Sequence, residues 1–290
     1  MSVHAVRYKT VDLGEVEMFY REAGDVAAPI VLLLHGFPTS SHMYRNLIPQ
    51  LADKYRILAP DFPGFGYTKA PPRGAYAHTF GNIYKAVQSF IHALGLERFA
   101  MMVFDYGAPI GFRLAAAYPH RISAIITQNG NAYEEGLRED TLRPMRAYWD
   151  HPTAANRDAL RPFLTAEATR SQYTHGVPKD KLELVSPDAI AHDQTIIERD
   201  LELQLDLFGD YKSNVALYSR WQEYLRTTKP PVLAVWGSGD PFFDPAGAYA
   251  FRRDVPDAEI HLFDTGHFAL ETDGAEIAAL IRDFLSRKAV

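Results

Sequence analysis

Six short, continuous apolar runs limit what this chain can become. They read PIVLLLHG (29–36), RILAP (56–60), FAMMVF (99–104), ISAIITQ (122–128), PVLAVWG (231–237) and EIHLF (259–263). Each is too short for a core helix, and most lack a polar face. Such runs form strands buried on both sides, as in parallel sheets covered by helices. Helical patterns fall between them, at about 41–52, 80–95, 107–118, 245–253 and 274–287. The last sets Ile277, Leu280, Ile281 and Leu285 on one face. The first twenty-two residues alternate and then break at Ala23-Gly24-Asp25, as an antiparallel strand pair does. The predicted class is α/β: a mostly parallel sheet with helices on both faces.

One stretch departs from this rhythm. From about Ala132 to Ser213 the sequence is charged, Tyr-rich and helical in pattern, without a buried strand. An insertion that long after the sixth strand reads as a lid over a site. The predicted organisation is a core of 1–131 and 214–290 carrying a helical cap of 132–213.

Bulk properties narrow the function. The chain has 290 residues, 47% of them apolar and 23% charged, with a net charge of −6. That balance argues against a nucleic-acid partner or an anionic membrane surface. No apolar run approaches the ~20 residues that span a bilayer. The start, MSVHAVRYKTVDLG, lacks the apolar core of a signal peptide. With no cysteine there is no disulfide and no thiolate nucleophile. The expectation is a cytoplasmic protein that acts on a small molecule and needs no cofactor or metal. A homodimer is compatible with it.

Open parallel sheets carry their chemistry at the carboxyl ends of strands. Asp105 follows FAMMVF, Asp240 follows PVLAVWGSG, and His267 follows EIHLFDTG. His35-Gly36-Phe37-Pro38 follows IVLLL. Each has a plainer reading. Asp105 suits the N-cap of the helix that begins near Tyr106. Asp240 suits a turn before Pro241, and Asp244 competes for its role. His267 is one of 11 histidines. Asp61, in DFPGFG, suits a turn beside Gly64 and Gly66.

Taken together, these residues resemble the α/β-hydrolase family over essentially the full chain. That family sets a nucleophile on a sharp strand-to-helix turn, usually G-x-S-x-G, with the acid and then the histidine later in sequence. The order Asp105, Asp240, His267 matches. The elbow reads VFDYG, with Gly107 in place but Val103 where the first glycine is usual. No G-x-S-x-G occurs, so a serine esterase or lipase is disfavoured. An aspartate there is similar to the epoxide hydrolase and haloalkane dehalogenase branch. HGFPTSSHMYRNLIP (35–49), DFPGFGYTKAP (61–71) and NVALYSRWQEYLRTTKPPVLAVWG (214–237) strengthen the likeness.

The resemblance implies a specific chemistry. Asp105 is the nucleophile, already ionised at neutral pH with a reference pKa of about 3.9. It attacks a saturated carbon and becomes an ester. His267 is the general base that activates water against that ester, and Asp240 orients it. The backbone N–H groups of Phe37 and Tyr106 form the oxyanion hole. In some dehalogenases the acid follows the sixth strand instead; here that place holds Asn129 and Asn131, with Glu134 and Glu135 a few residues later.

The leaving group divides the branch. Dehalogenases offer a halide N–H donors from a tryptophan after the nucleophile and from a second Trp or Asn. This chain has Tyr106 and Phe37 at those places, with Trp149 as one donor in the insertion. Epoxide hydrolases present two cap tyrosines, whose O–H protonates the alkoxide. Tyr148, 43 residues beyond Asp105, suits the first; Tyr218 and its competitor Tyr211 suit the second. Fluoroacetate dehalogenases hold a carboxylate with arginines just after the nucleophile, and the nearest here is Arg113. The expectation is an epoxide hydrolase acting on small apolar epoxides, with a dehalogenase of atypical halide site as the alternative. A receptor or scaffold with a damaged triad is disfavoured, because all three triad positions hold competent residues.

Overall fold

Residues 5–288 are described by a computed structural model. The six apolar runs all become strands. They are β3 (Ile30–Leu34), β4 (Arg56–Pro60), β5 (Phe99–Phe104), β6 (Ile122–Gln128), β7 (Val232–Gly237) and β8 (Glu259–Phe263). The alternating start supplies β1 (Arg7–Asp12) and β2 (Glu17–Ala23). One eight-stranded sheet results, in the order β1-β2-β4-β3-β5-β6-β7-β8. The β1–β2 and β2–β4 pairs are antiparallel, and every later pair is parallel.

Helices α1 (Phe80–Ala93) and α2 (Gly107–Ala117) follow β4 and β5. Between β6 and β7 the chain is helical, with α3 (Glu139–Asp150), α4 (Ala166–Thr174), α5 (Pro187–Ile197), α6 (Leu201–Asp210) and α7 (Tyr218–Thr228). Helices α8 (Pro245–Asp254) and α9 (Ala269–Arg287) flank β8. No helix among the described residues is long and apolar enough to cross a membrane.

The strands explain their own composition. Alternate residues of β3 enter opposite layers. Leu32 and Leu34 join Phe90, Phe112, Trp221 and Phe251, whereas Val31 and Leu33 join Ile281, Phe284 and Leu285 of α9. A strand buried on both faces needs apolar side chains at every position.

Two helical readings differ from the structure. Over 41–52 the expected helix is a 3-10 turn, Ser41–Tyr44, and a separate single turn, Ile48–Leu51. Pro49 lies in the first turn of that second segment, where its missing N–H costs no helical hydrogen bond, so the sequence favours a fresh start there. Helix α9 begins at Ala269, five residues before Gly274, and passes through a non-helical Asp273 (φ −122°). Lys181 bonds the Asp273 carboxylate at 2.6 Å across to the helical segment.

The strand order reverses at β3, with β4 on one side and β5 on the other. Open sheets bind ligands in the crevice at such a switch point. It lies between the ends of β3 and β5, beside the loop carrying Phe37 and the turn carrying Asp105.

Phe112 ties this architecture together. It is fully buried and stacks on Trp221 (5.7 Å) and Phe251 (6.0 Å), joining α2 to α7 and α8. Phe112→Ala is expected to lower the unfolding free energy by about 3–5 kcal/mol, read as a lower urea midpoint. An unchanged midpoint would show that this contact contributes nothing.

Candidate functional site

Asp105 sits at the end of β5 with φ +46°, in the left-handed region that non-glycine residues rarely enter. This backbone turn directs its side chain out of the sheet and into a crevice. Its carboxylate accepts the Phe37 N–H at 2.6 Å, and the Tyr106 N–H also favours its charge. It does not serve as the cap considered for the next helix. The residue before α2 is Tyr106, which makes no side-chain cap bond. The Asp105 backbone carbonyl instead accepts the Ala108 N–H at 3.0 Å.

The elbow is crowded, and glycines make room for it. A Cβ on Gly36 would lie 2.4 Å from the Asp105 Cβ and 2.6 Å from the Tyr106 nitrogen. Val103, bulky where the usual motif has glycine, fits because its neighbour lacks a side chain. A Cβ on Gly111 would lie 2.5 Å from Val103 Cγ1.

His267 follows β8 and is fully buried. Its Nδ1 bonds Asp240 Oδ2 at 2.7 Å, and its Nε2 has no partner among the described residues. Burial would lower the His267 pKa, but Asp240 beside it outweighs this and holds it above the ordinary value. Burial pushes the Asp105 carboxyl up to about 6, against the pull of His267 and the Phe37 and Tyr106 amides.

Asp240 is thoroughly bound. Its Oδ1 accepts the N–H groups of Phe242 (2.7 Å) and Phe243 (3.2 Å), and its Oδ2 accepts Asn129 Nδ2 (2.7 Å) as well as the histidine. Asn129 also accepts the Gly237 N–H at 2.9 Å. Thus the residue after β6 is no acid but a holder of the acid after β7. Asp244 is separate: it caps α8 through the Ala246 N–H (2.9 Å) and pairs with Arg138 (3.1 Å). Glu135 pairs with Arg253 at the surface.

Two loop residues hold the frame. His35 accepts the Phe62 N–H at Nε2 (2.9 Å), and burial pushes its pKa down to about 3, so it is neutral. Asp61 accepts the N–H groups of Ser41 and Tyr67, each at 2.8 Å.

A cavity of about 60 Å³ lies over Asp105. Phe37, Tyr106 and Tyr211 line it together with Leu142, Phe208 and Phe243. Burial holds the Tyr211 pKa well above its usual value, with Tyr218 and the Asp105 charge adding to it. Tyr218 is buried behind Tyr211, and Asn131 Nδ2 donates to its hydroxyl at 3.4 Å.

The other cap residues lie elsewhere. Tyr148 is not on the cavity wall; its hydroxyl meets Arg157 Nη1 at 3.5 Å and its ring covers Gly209. Trp149 stacks on Tyr211 (6.2 Å), and its indole N–H donates to the Phe208 carbonyl at 2.8 Å. That donor is therefore unavailable to a halide. Arg113 donates to Ser213 (3.1 Å) and Asn214 (2.8 Å), off the cavity. Sequence reasoning missed Gln172 of α4, which lines the cavity. A single amide in a charged helix gives no pattern to find it by. Phe208 had a faint signal, one turn before Tyr211 on the same face.

This sheet, its strand-end turn and the carboxylate–histidine pair define a hydrolase of the α/β-hydrolase type. The family model described as alpha/beta hydrolase fold matches residues 29–274, and the chain belongs to that family. The chain is 46% identical over 270 residues to an uncharacterised hydrolase of Saccharomyces cerevisiae, covering 91% of each. It is 37% identical over 130 residues to a haloalkane dehalogenase of Mycobacterium marinum, covering 44% of this chain and 43% of that one. Among solved structures, an epoxide hydrolase of Vigna radiata superposes with a TM-score of 0.75 at 22% identity, covering 97% and 98% of the two chains.

Gly36→Ala tests the crowding at the elbow. The added methyl is expected to displace Asp105 or the Phe37 loop, costing about 1–3 kcal/mol of stability and abolishing hydrolysis. A variant with normal melting and activity would show that the loop yields freely.

Proposed function

We propose that the protein is an epoxide hydrolase that works through an ester on Asp105. The observation that carries this reading is that Asp105 and Tyr211 line one small cavity, near enough for the Asp105 charge to act on the Tyr211 hydroxyl. The helical segment 132–213 serves as its lid. In the reaction, Asp105 attacks a ring carbon from the side opposite the oxygen. The ring C–O bond breaks, its electron pair goes to that oxygen, and Tyr211 gives the proton. Tyr218, next to Tyr211, helps to keep that hydroxyl protonated until the ring opens.

Hydrolysis of the ester follows. His267 Nε2 takes a proton from water, and the hydroxide adds to the Asp105 carbonyl carbon. The N–H groups of Phe37 and Tyr106 hold the oxyanion, a contribution of about 3–4 kcal/mol per donor where such sites have been tested. Collapse expels the diol oxygen, which takes the proton from His267. The acid proton of the regenerated Asp105 restores Tyr211. The net change is epoxide plus water to vicinal diol.

The halide alternative has less support. Dehalogenation shares the attack on saturated carbon, and the dehalogenase relatives favour that step. However, a departing halide needs free N–H donors, and the Trp149 indole is committed to Phe208. Phe37 has no side-chain donor to offer.

The protein incubated with an aryl epoxide and with a bromoalkane is expected to form diol and release no bromide. Bromide without diol reverses the assignment. In parallel, His267→Gln mixed with epoxide is expected to accumulate an adduct on Asp105, visible by intact mass. An unmodified mass with bound epoxide counts against the ester.

The pH dependence follows from the two shifted groups. Asp105 attacks only when ionised, so attack falls as pH drops through about 6. His267 activates water only when neutral, and its pKa is raised, so hydrolysis fails at a higher pH than attack. On acidification from about pH 8 toward 6, the unmutated enzyme is expected to accumulate the ester. Quenched intact-mass analysis across this range reads it directly. A constant low ester level would show that His267 does not govern the second step.

A further inference from the structure

We propose that the side-chain amide of Gln172 is a second hydrogen-bond donor to the leaving oxygen, acting beside Tyr211. This rests on the epoxide reading above. Gln172 is 4% exposed and lines the same cavity as Asp105 and Tyr211. Its neighbours are committed: Tyr173 bonds Asp193, and Thr169 Oγ1 donates to Gln194 Oε1 at 2.6 Å. On the cavity wall, Thr141 donates to the Pro241 carbonyl at 2.8 Å, and Arg138 pairs with Asp244 at 3.1 Å; the Arg138 Nε and the Tyr106 hydroxyl lack partners but are sealed from the cavity by protein. The Gln172 amide has no hydrogen-bond partner among the described residues. Its polar atoms are not sealed off by protein, so the amide offers two N–H donors to whatever occupies the cavity.

Geometry indicates which atom does so. Asp105 rises from the sheet, whereas Gln172 on α4 and Tyr211 after α6 belong to the helical segment. Attack from the sheet side drives the leaving oxygen toward that segment. As the new C–O bond forms and the ring C–O bond breaks, negative charge gathers on that oxygen. An amide N–H cannot surrender its proton at neutral pH. Gln172 therefore stabilises the charge by hydrogen bonding, and Tyr211 supplies the proton. Because this donor meets the charge only as the ring opens, it accelerates attack and leaves hydrolysis of the ester untouched.

Gln172→Met keeps the length of the side chain and removes both N–H groups. Single-turnover quench with intact-mass detection resolves ester formation from ester loss. Ester formation is expected to slow about 10- to 100-fold, the effect of losing one hydrogen bond to a charged oxygen, with the rate of ester loss unchanged. Ester formation within twofold of the parent overturns the proposal. Equal slowing of both steps also overturns it, since a residue that only shapes the wall disturbs both. Gln172→Leu provides the same comparison if the methionine variant does not fold. If the parent protein and His267→Gln never form an ester, the epoxide reading itself fails, which is a distinct result.

Discussion

The Phe37 N–H donates to the Asp105 carboxylate at 2.6 Å, and the site is assembled around that bond. Three independent features must coincide to make it. Strands β3 and β5 must be neighbours, so that their carboxyl ends open into one crevice. Gly36 must lack a side chain, because any Cβ there would enter the space of Asp105. Asp105 must accept a left-handed backbone, which turns its carboxylate away from the sheet. A hydrogen bond to a charged group contributes about 1.5–3 kcal/mol, enough to offset much of the strain of that turn.

Two aspartates reach this site, and their surroundings separate their roles. Asp240 accepts four hydrogen bonds, from Phe242, Phe243, Asn129 and His267, so its lone pairs are spent. It can hold a histidine but has nothing left for attack. Asp105 has two backbone donors and an apolar cavity over it. Burial pushes its pKa up to about 6, which makes the carboxylate a better nucleophile while leaving it ionised at neutral pH. One carboxylate saturated by hydrogen bonds beside another left open to a cavity suits the division of labour in the proposed reaction.

Legibility in the sequence followed the physics of each part. Strands β3 to β7 were readable because burial on both faces leaves an unbroken apolar run; β8, a part-exposed edge strand, showed only a short apolar segment. Asp105, Asp240 and His267 stood out because each follows such a run, where parallel sheets gather their functional groups. The helical segment was readable as helix but not in rotational phase. Counting 43 residues from Asp105 chose Tyr148, yet its side chain turns to Arg157 and Gly209. Tyr211, held open as a competitor, lines the cavity instead. The start of α9 was misread because Gly274 resembles a break, while Lys181 engages Asp273 from a part of the chain nearly a hundred residues distant. Gln172 had no signal because its importance lies in the partner it lacks.

One coupling joins the nucleophile to the acid in the proposed reaction. The negative charge of Asp105 helps to hold Tyr211 protonated, in addition to burial and Tyr218. That keeps the tyrosine loaded while the carboxylate is free. When Asp105 attacks, its charge moves through the forming ester to the ring oxygen. The contribution that kept the Tyr211 proton in place then disappears, and a stronger base appears beside it. Proton release is thereby timed to bond formation, without any movement of the backbone. A halide would gain nothing from this arrangement, because it departs as a weak base and needs no proton. The same pair of residues thus favours an oxygen leaving group through charge as well as through geometry.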